Sequence, residues 1–238
     1  MDNSRSVWSA GPQALEIQTL ITGETWPTSL TSNTIIANTP QLIYSMLYFA
    51  LNAIMTKMTL AAEWSSYAVE RKGLRVSSRP LHSQRSNYFL SLPYRYIIPL
   101  MATSAVLHWL ISQSLFLVGV DAYNPRQERD PERDIITCGH SPVAIVSAVA
   151  VGTAMICCVG GLGHKRFRSA MPVVGSCSLG IAAACHPGPG GFKTGGEYLP
   201  LKWGAVPVSS DYDGSEHVGH CAFSSEEVEV PRDGWVYR

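Results

Sequence analysis

The sequence predicts an all-α fold, a multi-pass transmembrane helical bundle of four spans with polar, partly disordered tails. Three observations predict it. Charged residues make up 15% of the 238 residues and hydrophobic ones 46%, against roughly 25% charged in a soluble domain. The apolar residues are gathered into blocks about as long as a bilayer is thick. Lys and Arg crowd into alternate connecting loops, as the positive-inside rule requires of a chain that crosses repeatedly. Mean hydropathy is only +0.07 because the tails and loops are polar.

Residues 1–40 read as a polar N-terminal tail broken by Gly11-Pro12 and Trp26-Pro27, with no apolar core of a cleavable signal peptide. Thr39-Pro40 then reads as an N-cap followed by a first-turn proline. Residues 41–62 form the expected first span, interrupted chiefly by Asn52 and by Lys57, whose stem reaches the interface. Residues 63–95 form a basic cytoplasmic loop carrying Arg71, Lys72, Arg75, Arg79, Arg85 and Arg95. Residues 96–120 hold no formal charge over 25 positions, and about 20 suffice to cross. Tyr94, Arg95 and Tyr96 anchor the start of this second span, and Pro99 falls in its first turn.

Residues 121–141 are an acidic outer loop with three arginines against five acids. Residues 142–162 are the third span, opened by Ser141-Pro142 and closed by Gly160, Gly161 and Gly163. A short basic turn at 163–168 carries His164, Lys165, Arg166 and Arg168. Residues 169–185 are a marginal fourth span, at the lower limit of length; a re-entrant or interfacial helix is the alternative. Residues 186–238 are a polar C-terminal tail in which 199–206 and 226–230 are ordered against something. The pattern places both tails outside and the two basic loops in the cytoplasm. A translocated tail with no signal peptide would be natural in the C-terminal portion of a longer membrane protein.

Several segments together resemble a known family. They are Asn33-Thr-Ile-Ile-Ala-Asn-Thr-Pro-Gln41, Arg71-Lys-Gly-Leu-Arg-Val76, Gln84-Arg-Ser86, Leu92-Pro-Tyr-Arg-Tyr96, Leu107-His-Trp-Leu110 and Ser112-Gln-Ser114. Further along come Cys138-Gly-His-Ser-Pro142, Leu201-Lys-Trp-Gly204, His220-Cys-Ala-Phe-Ser224 and Glu227-Val-Glu229. In this order they are similar to uncharacterised fungal multi-pass membrane proteins whose longer members carry an upstream DUF6536 domain. The resemblance implies a fungal membrane protein and no transferable catalytic residue.

The candidate chemistry sits in the spans. His108 lies near the middle of the second span, and Ser104, His108 and Ser112 share one helix face, with Thr103 and Gln113 beside it. Tyr44, Tyr48, Asn52 and Thr56 make a matching stripe on the first span. Asn52, His108, Ser112 and Gln113 therefore define a candidate polar seam, since polar groups at membrane depth must face protein or water. The alternative is interhelical hydrogen bonding that holds the bundle together. Ala144, Ala148 and Gly152, and likewise Ser176, Gly180 and Ala184, are small residues at packing intervals. Cys138, His140, Cys185, His186, His217, His220 and Cys221 fall on the predicted outer side. A disulfide among Cys138, Cys185 and Cys221, a zinc or copper ion, or neither are the open readings.

Zero net charge argues against nucleic acid as a partner. There is no phosphate-binding loop, dinucleotide loop, zinc-protease helix or serine-hydrolase elbow, and no cofactor is expected. No Asp or Glu lies in a predicted span, which disfavours a carboxylate-driven pump. The expected function is a structural or scaffolding membrane component in the plasma membrane or the secretory pathway. Its expected partners are the lipid bilayer and other membrane helices, its own included. A channel or transporter using the seam is the alternative.

Overall fold

The computed structural model describes residues 19–23, 25–169, 171–175, 177–186, 195–206 and 218–237. Within them the fold is mixed α/β: four α-helices and three small sheets. This corrects the all-α expectation. The chain divides into two compact units, one of residues 1–53 and 94–163, the other of 54–93 and 164–238.

The first unit holds the start of α1 (Leu30–Ser66), then α2 (Tyr94–Ser114), β3 (Leu115–Val120), β4 (Ile135–His140) and α3 (Pro142–Gly163). Helix α1 begins ten residues before the expected start at 40. Ser29 caps it, accepting a hydrogen bond at Oγ from the Ser32 amide at 3.2 Å. Pro40 is consequently an internal residue, at the cost of one backbone bond. Thr34, Asn38, Thr39 and Ser45 each donate to the carbonyl four residues back, so their polar atoms ask nothing of the surroundings.

Helix α2 stops at Ser114, and the last six residues of the expected second span form β3 instead. The run Leu-Phe-Leu-Val-Gly-Val is rich in strand formers. It pairs antiparallel with β4, Leu115 opposite His140 and Val120 opposite Ile135. An arginine-carboxylate cluster ties the base of the connecting turn: Arg129 bonds Asp121 and Asp134, each at 2.9 Å. Leu20 adds a single bridge to Gly139 on the other edge of β4.

The second unit holds the rest of α1, the two-residue parallel pair β1 (Arg75–Val76) and β2 (Arg85–Ser86), helix α4 (Ser178–Cys185), and a three-stranded sheet. The sheet runs β5 (Lys202–Val206), β6 (Val218–Ser224), β7 (Val236–Tyr237). Its core is Tyr67, Met171, Ala184, Leu201 and Phe223, with Trp64 and Trp203 packed against it. Trp64 and Tyr67 both meet the Phe223 ring edge-on, at 5.1 and 5.4 Å, the geometry aromatic quadrupoles favour. Gly204 is required where it stands, since a Cβ there would lie 2.6 Å from the Glu229 carbonyl oxygen.

The four-span expectation is corrected as well. Only α2 and α3 are long and apolar enough to cross a membrane among the described residues. Helix α1 is long, but Asn52 and Lys57 dilute its apolar stretch. The fourth block contains only the eight-residue α4, about 12 Å long against a hydrocarbon core of about 30 Å. Pro172 and the left-handed Gly175 (φ 58°) lie in the non-helical chain before it. The stretch at 199–206 is ordered, supplying β5, and Glu229 bridges to Ala205 on that strand.

Candidate functional site

The polar stripes anticipated on the first two spans fall on the inward faces of their helices. Tyr44 is buried, Tyr48 and Asn52 are half-buried, and residues between them such as Leu47 and Phe49 point outward, 63% and 69% exposed. On α2, Ser104 is buried and His108 half-buried. The stripes meet at one contact: the Tyr44 and His108 rings stand edge to face, centroids 4.8 Å apart at 82°. The Tyr44 hydroxyl is buried and has no hydrogen-bond partner among the described residues.

The other three seam residues differ in their surroundings. Ser112 Oγ donates to the Trp109 carbonyl of its own helix at 2.7 Å. Gln113 is half-buried in the last turn of α2, next to the start of β3. Asn52 is half-buried and engaged by neighbouring groups. Helices α2 and α3 touch at Gly152, where an added Cβ would sit 3.9 Å from the Leu107 side chain, an ordinary van der Waals contact.

All three candidate disulfide cysteines are free thiols. Cys138 is fully buried in β4, and burial pushes its thiol pKa up; its Sγ lies 3.5 Å from the Asn33 carbonyl and side-chain oxygens. Cys185 and Cys221 belong to the second unit, and burial raises both, Cys221 to about 11. The Cys185-His186 and His220-Cys221 dipeptides meet through their histidines, His220 Nε2 lying 3.1 Å from the His186 carbonyl. His140 is half-buried with Nδ1 unpartnered among the described residues. Among the described residues no group of three or more His, Cys, Asp or Glu side chains is placed to hold a metal. His217 and Ser176 lie outside the described residues.

Three organising residues escaped the sequence reading. Asn33 is wholly buried and holds the approach to α1: its Nδ2 donates to the Pro27 and Ser29 carbonyls at 2.7 and 3.0 Å, and its Oδ1 accepts from Trp26 Nε1 at 2.8 Å. Glu63 accepts from Arg75 Nε at 2.7 Å and from Arg85 Nη2 at 3.0 Å, and Arg75 also stacks on Tyr88, 3.9 Å from its centroid. Arg71 donates to the carbonyls of Pro200, Ser224, Ser225 and Glu226. The basic loop therefore spends much of its charge on its own unit. Asn33, Arg71, Arg75 and Arg85 all fall in the segments quoted above, and the three arginines also in the basic loop, but neither signal points to the partners they bond.

No curated protein and no solved structure matches the chain. The family comparison overturns the resemblance to DUF6536-containing fungal membrane proteins: the matching domain is a different one, DUF8419, a domain of unknown function, over residues 7–237. With nearly its whole length matched, from the tail through both units to β7, the chain belongs to the DUF8419 family.

Proposed function

We propose that this DUF8419 protein is an integral membrane component with a structural or scaffolding role, held in the bilayer by α2 and α3. One observation carries the reading: of the two helices that are long and apolar enough to cross, α3 leaves nearly all of its apolar side chains outward, and α2 leaves those outside Ile97, Leu100 and Leu107 largely so. Along α3 only Ala144 is buried, while Val149 and Ile156 are 63% and 64% exposed. Trp109 on α2 is 56% exposed. Ile145, Val146, Val149, Ile156 and Leu162 would each gain about 1 kcal/mol if the exposed part of the side chain left water. The sum, about 5 kcal/mol from α3 alone, matches the low end of a domain's whole stability. A helix of this composition in a water-soluble fold would be buried on most sides; lipid supplies the missing cover.

The two helices form a helical hairpin in this reading, with the charged β3–β4 turn on one membrane face and the Tyr94 and Gly163 ends on the other. Basic residues flank both of the latter ends in sequence, which supports placing them on the cytoplasmic face. The bilayer and neighbouring helices are the partners, and a plasma or secretory-pathway membrane is the place. Alkaline carbonate extraction of membranes carrying the full chain tests the reading: the protein should stay in the pellet, and its release into the supernatant would sink it.

The transport alternative draws on the buried Tyr44 hydroxyl beside His108, unpartnered among the described residues. Ring packing across the seam and the local bonding of Ser112 favour the structural role. His108→Ala separates the two: a loss of packing, on the order of 1 kcal/mol of stability, follows from the structural role, whereas abolished solute flux in reconstituted vesicles would establish a path.

A further inference from the structure

Cys157 and Cys158 are consecutive on α3, and both are exposed. They stand six and five residues before Gly163, the last residue of the helix, so about 9 and 8 Å from its end. In a core about 30 Å thick that is about midway between one surface and the midplane, in the half of the span nearer Gly163. Gly160 and Gly161, on the next turn, have open space among the described residues where side chains would be. The chain leaves it directly into His164, Lys165, Arg166, Phe167 and Arg168, all exposed. Three cations at this position attract the anionic headgroups of the cytoplasmic leaflet. The remaining cysteines differ: Cys138 is buried, Cys221 is half-buried, and Cys177 and Cys185, though exposed, lie off both candidate spans.

We propose that Cys157 and Cys158 are sites of S-acylation by a long-chain fatty acyl thioester. The cysteine sulfur attacks the acyl carbonyl carbon of a fatty acyl-coenzyme A. A new carbon–sulfur bond forms, the bond to the coenzyme A sulfur breaks, and the cysteine proton leaves on the coenzyme A thiol. No oxidant is consumed. Paired cysteines within the last two turns of a span that runs on into a basic segment suit this chemistry, because the attached chain lies among lipid tails while the cations stay at the headgroups. The inference rests on the membrane reading of α3.

The test uses the full chain in eukaryotic cells fed an alkyne-bearing palmitate analogue, with labelling read before and after hydroxylamine and carbonate extraction run on the same sample. The expected result is hydroxylamine-sensitive label in the pelleted protein, retained in Cys177→Ala, at least tenfold lower in the Cys157→Ala, Cys158→Ala double variant. Unlabelled protein that pellets overturns the acylation alone, as does label that persists in the double variant. Protein released by carbonate overturns the membrane reading and the acylation with it.

Discussion

Replacing Asn33 by alanine should loosen the first unit by an amount the structure allows one to work out. The side chain is 0% exposed and makes three hydrogen bonds of 3.0 Å or less, to Trp26, Pro27 and Ser29. Ser29 O keeps the Asn33 backbone amide at 3.2 Å, so two groups lose a partner outright. At about 1 kcal/mol for each bond the loss is about 2–3 kcal/mol. Cys138 reports it, since its buried thiol lies against Asn33 and reacts only when this region opens. At 1.4 kcal/mol per tenfold, alkylation of the Cys138 peptide, read by mass spectrometry, should speed up about 30- to 140-fold. Asn33→Asp should be worse at neutral pH, because a carboxylate would face the Pro27 and Ser29 carbonyls with nothing to donate. An unchanged Cys138 rate in Asn33→Ala, or an aspartate no worse than the alanine, would refute this account of the region.

Further expectations concern the second unit and the hairpin. Glu63→Gln removes the carboxylate shared by Arg75 and Arg85; at 20% side-chain exposure the cost should be about 1–2 kcal/mol, below that of a fully buried pair. The melting transition of the second unit should fall by roughly 5–10 °C, and an unmoved transition would show the cluster to be idle. Gly73→Ala would place a Cβ 1.7 Å from the Ser83 carbonyl oxygen, a backbone clash costing about 3 kcal/mol; a wild-type melting curve would contradict the close approach of these segments. Asp134 has its pKa lowered chiefly by the Ala122 amide bond, then by Arg129. A depressed folded pKa means stabilisation present above the unfolded value, near 4, and lost as pH falls through the folded one. Protection of the Ala122 amide against hydrogen exchange should therefore drop below about pH 4 and become flat with pH in Asp134→Asn.

What could be read from the residues followed the long uncharged runs. The block at 142–162 coincides with α3 to within one residue, because an unbroken apolar stretch between Ser141-Pro142 and Gly163 has one helical reading. The i, i+4 stripes on α1 and α2 anticipated the Tyr44–His108 contact, since both rings had to leave the apolar face. The strands were not legible. An apolar run such as residues 115–120 has no local feature that separates the end of a helix from a strand; its partner, residues 135–140, supplies the difference. Nor does local pattern show that Ser29 starts α1 and leaves Pro40 inside it. Arg71 and Arg75 looked like topology signals, whereas their carbonyl and carboxylate partners come from distant positions, Ser225 and Glu63 among them.

The central claim, that α2 and α3 cross a bilayer as a hairpin, is tested most directly by side-specific labelling of single cysteines in sealed vesicles. Asn124→Cys marks the β3–β4 turn, and Gly163→Cys marks the end of α3, both within the first unit. With a membrane-impermeant thiol reagent, and each labelled peptide read by mass spectrometry, the two positions should label from opposite sides. Labelling of both from the same side of intact vesicles would contradict the claim.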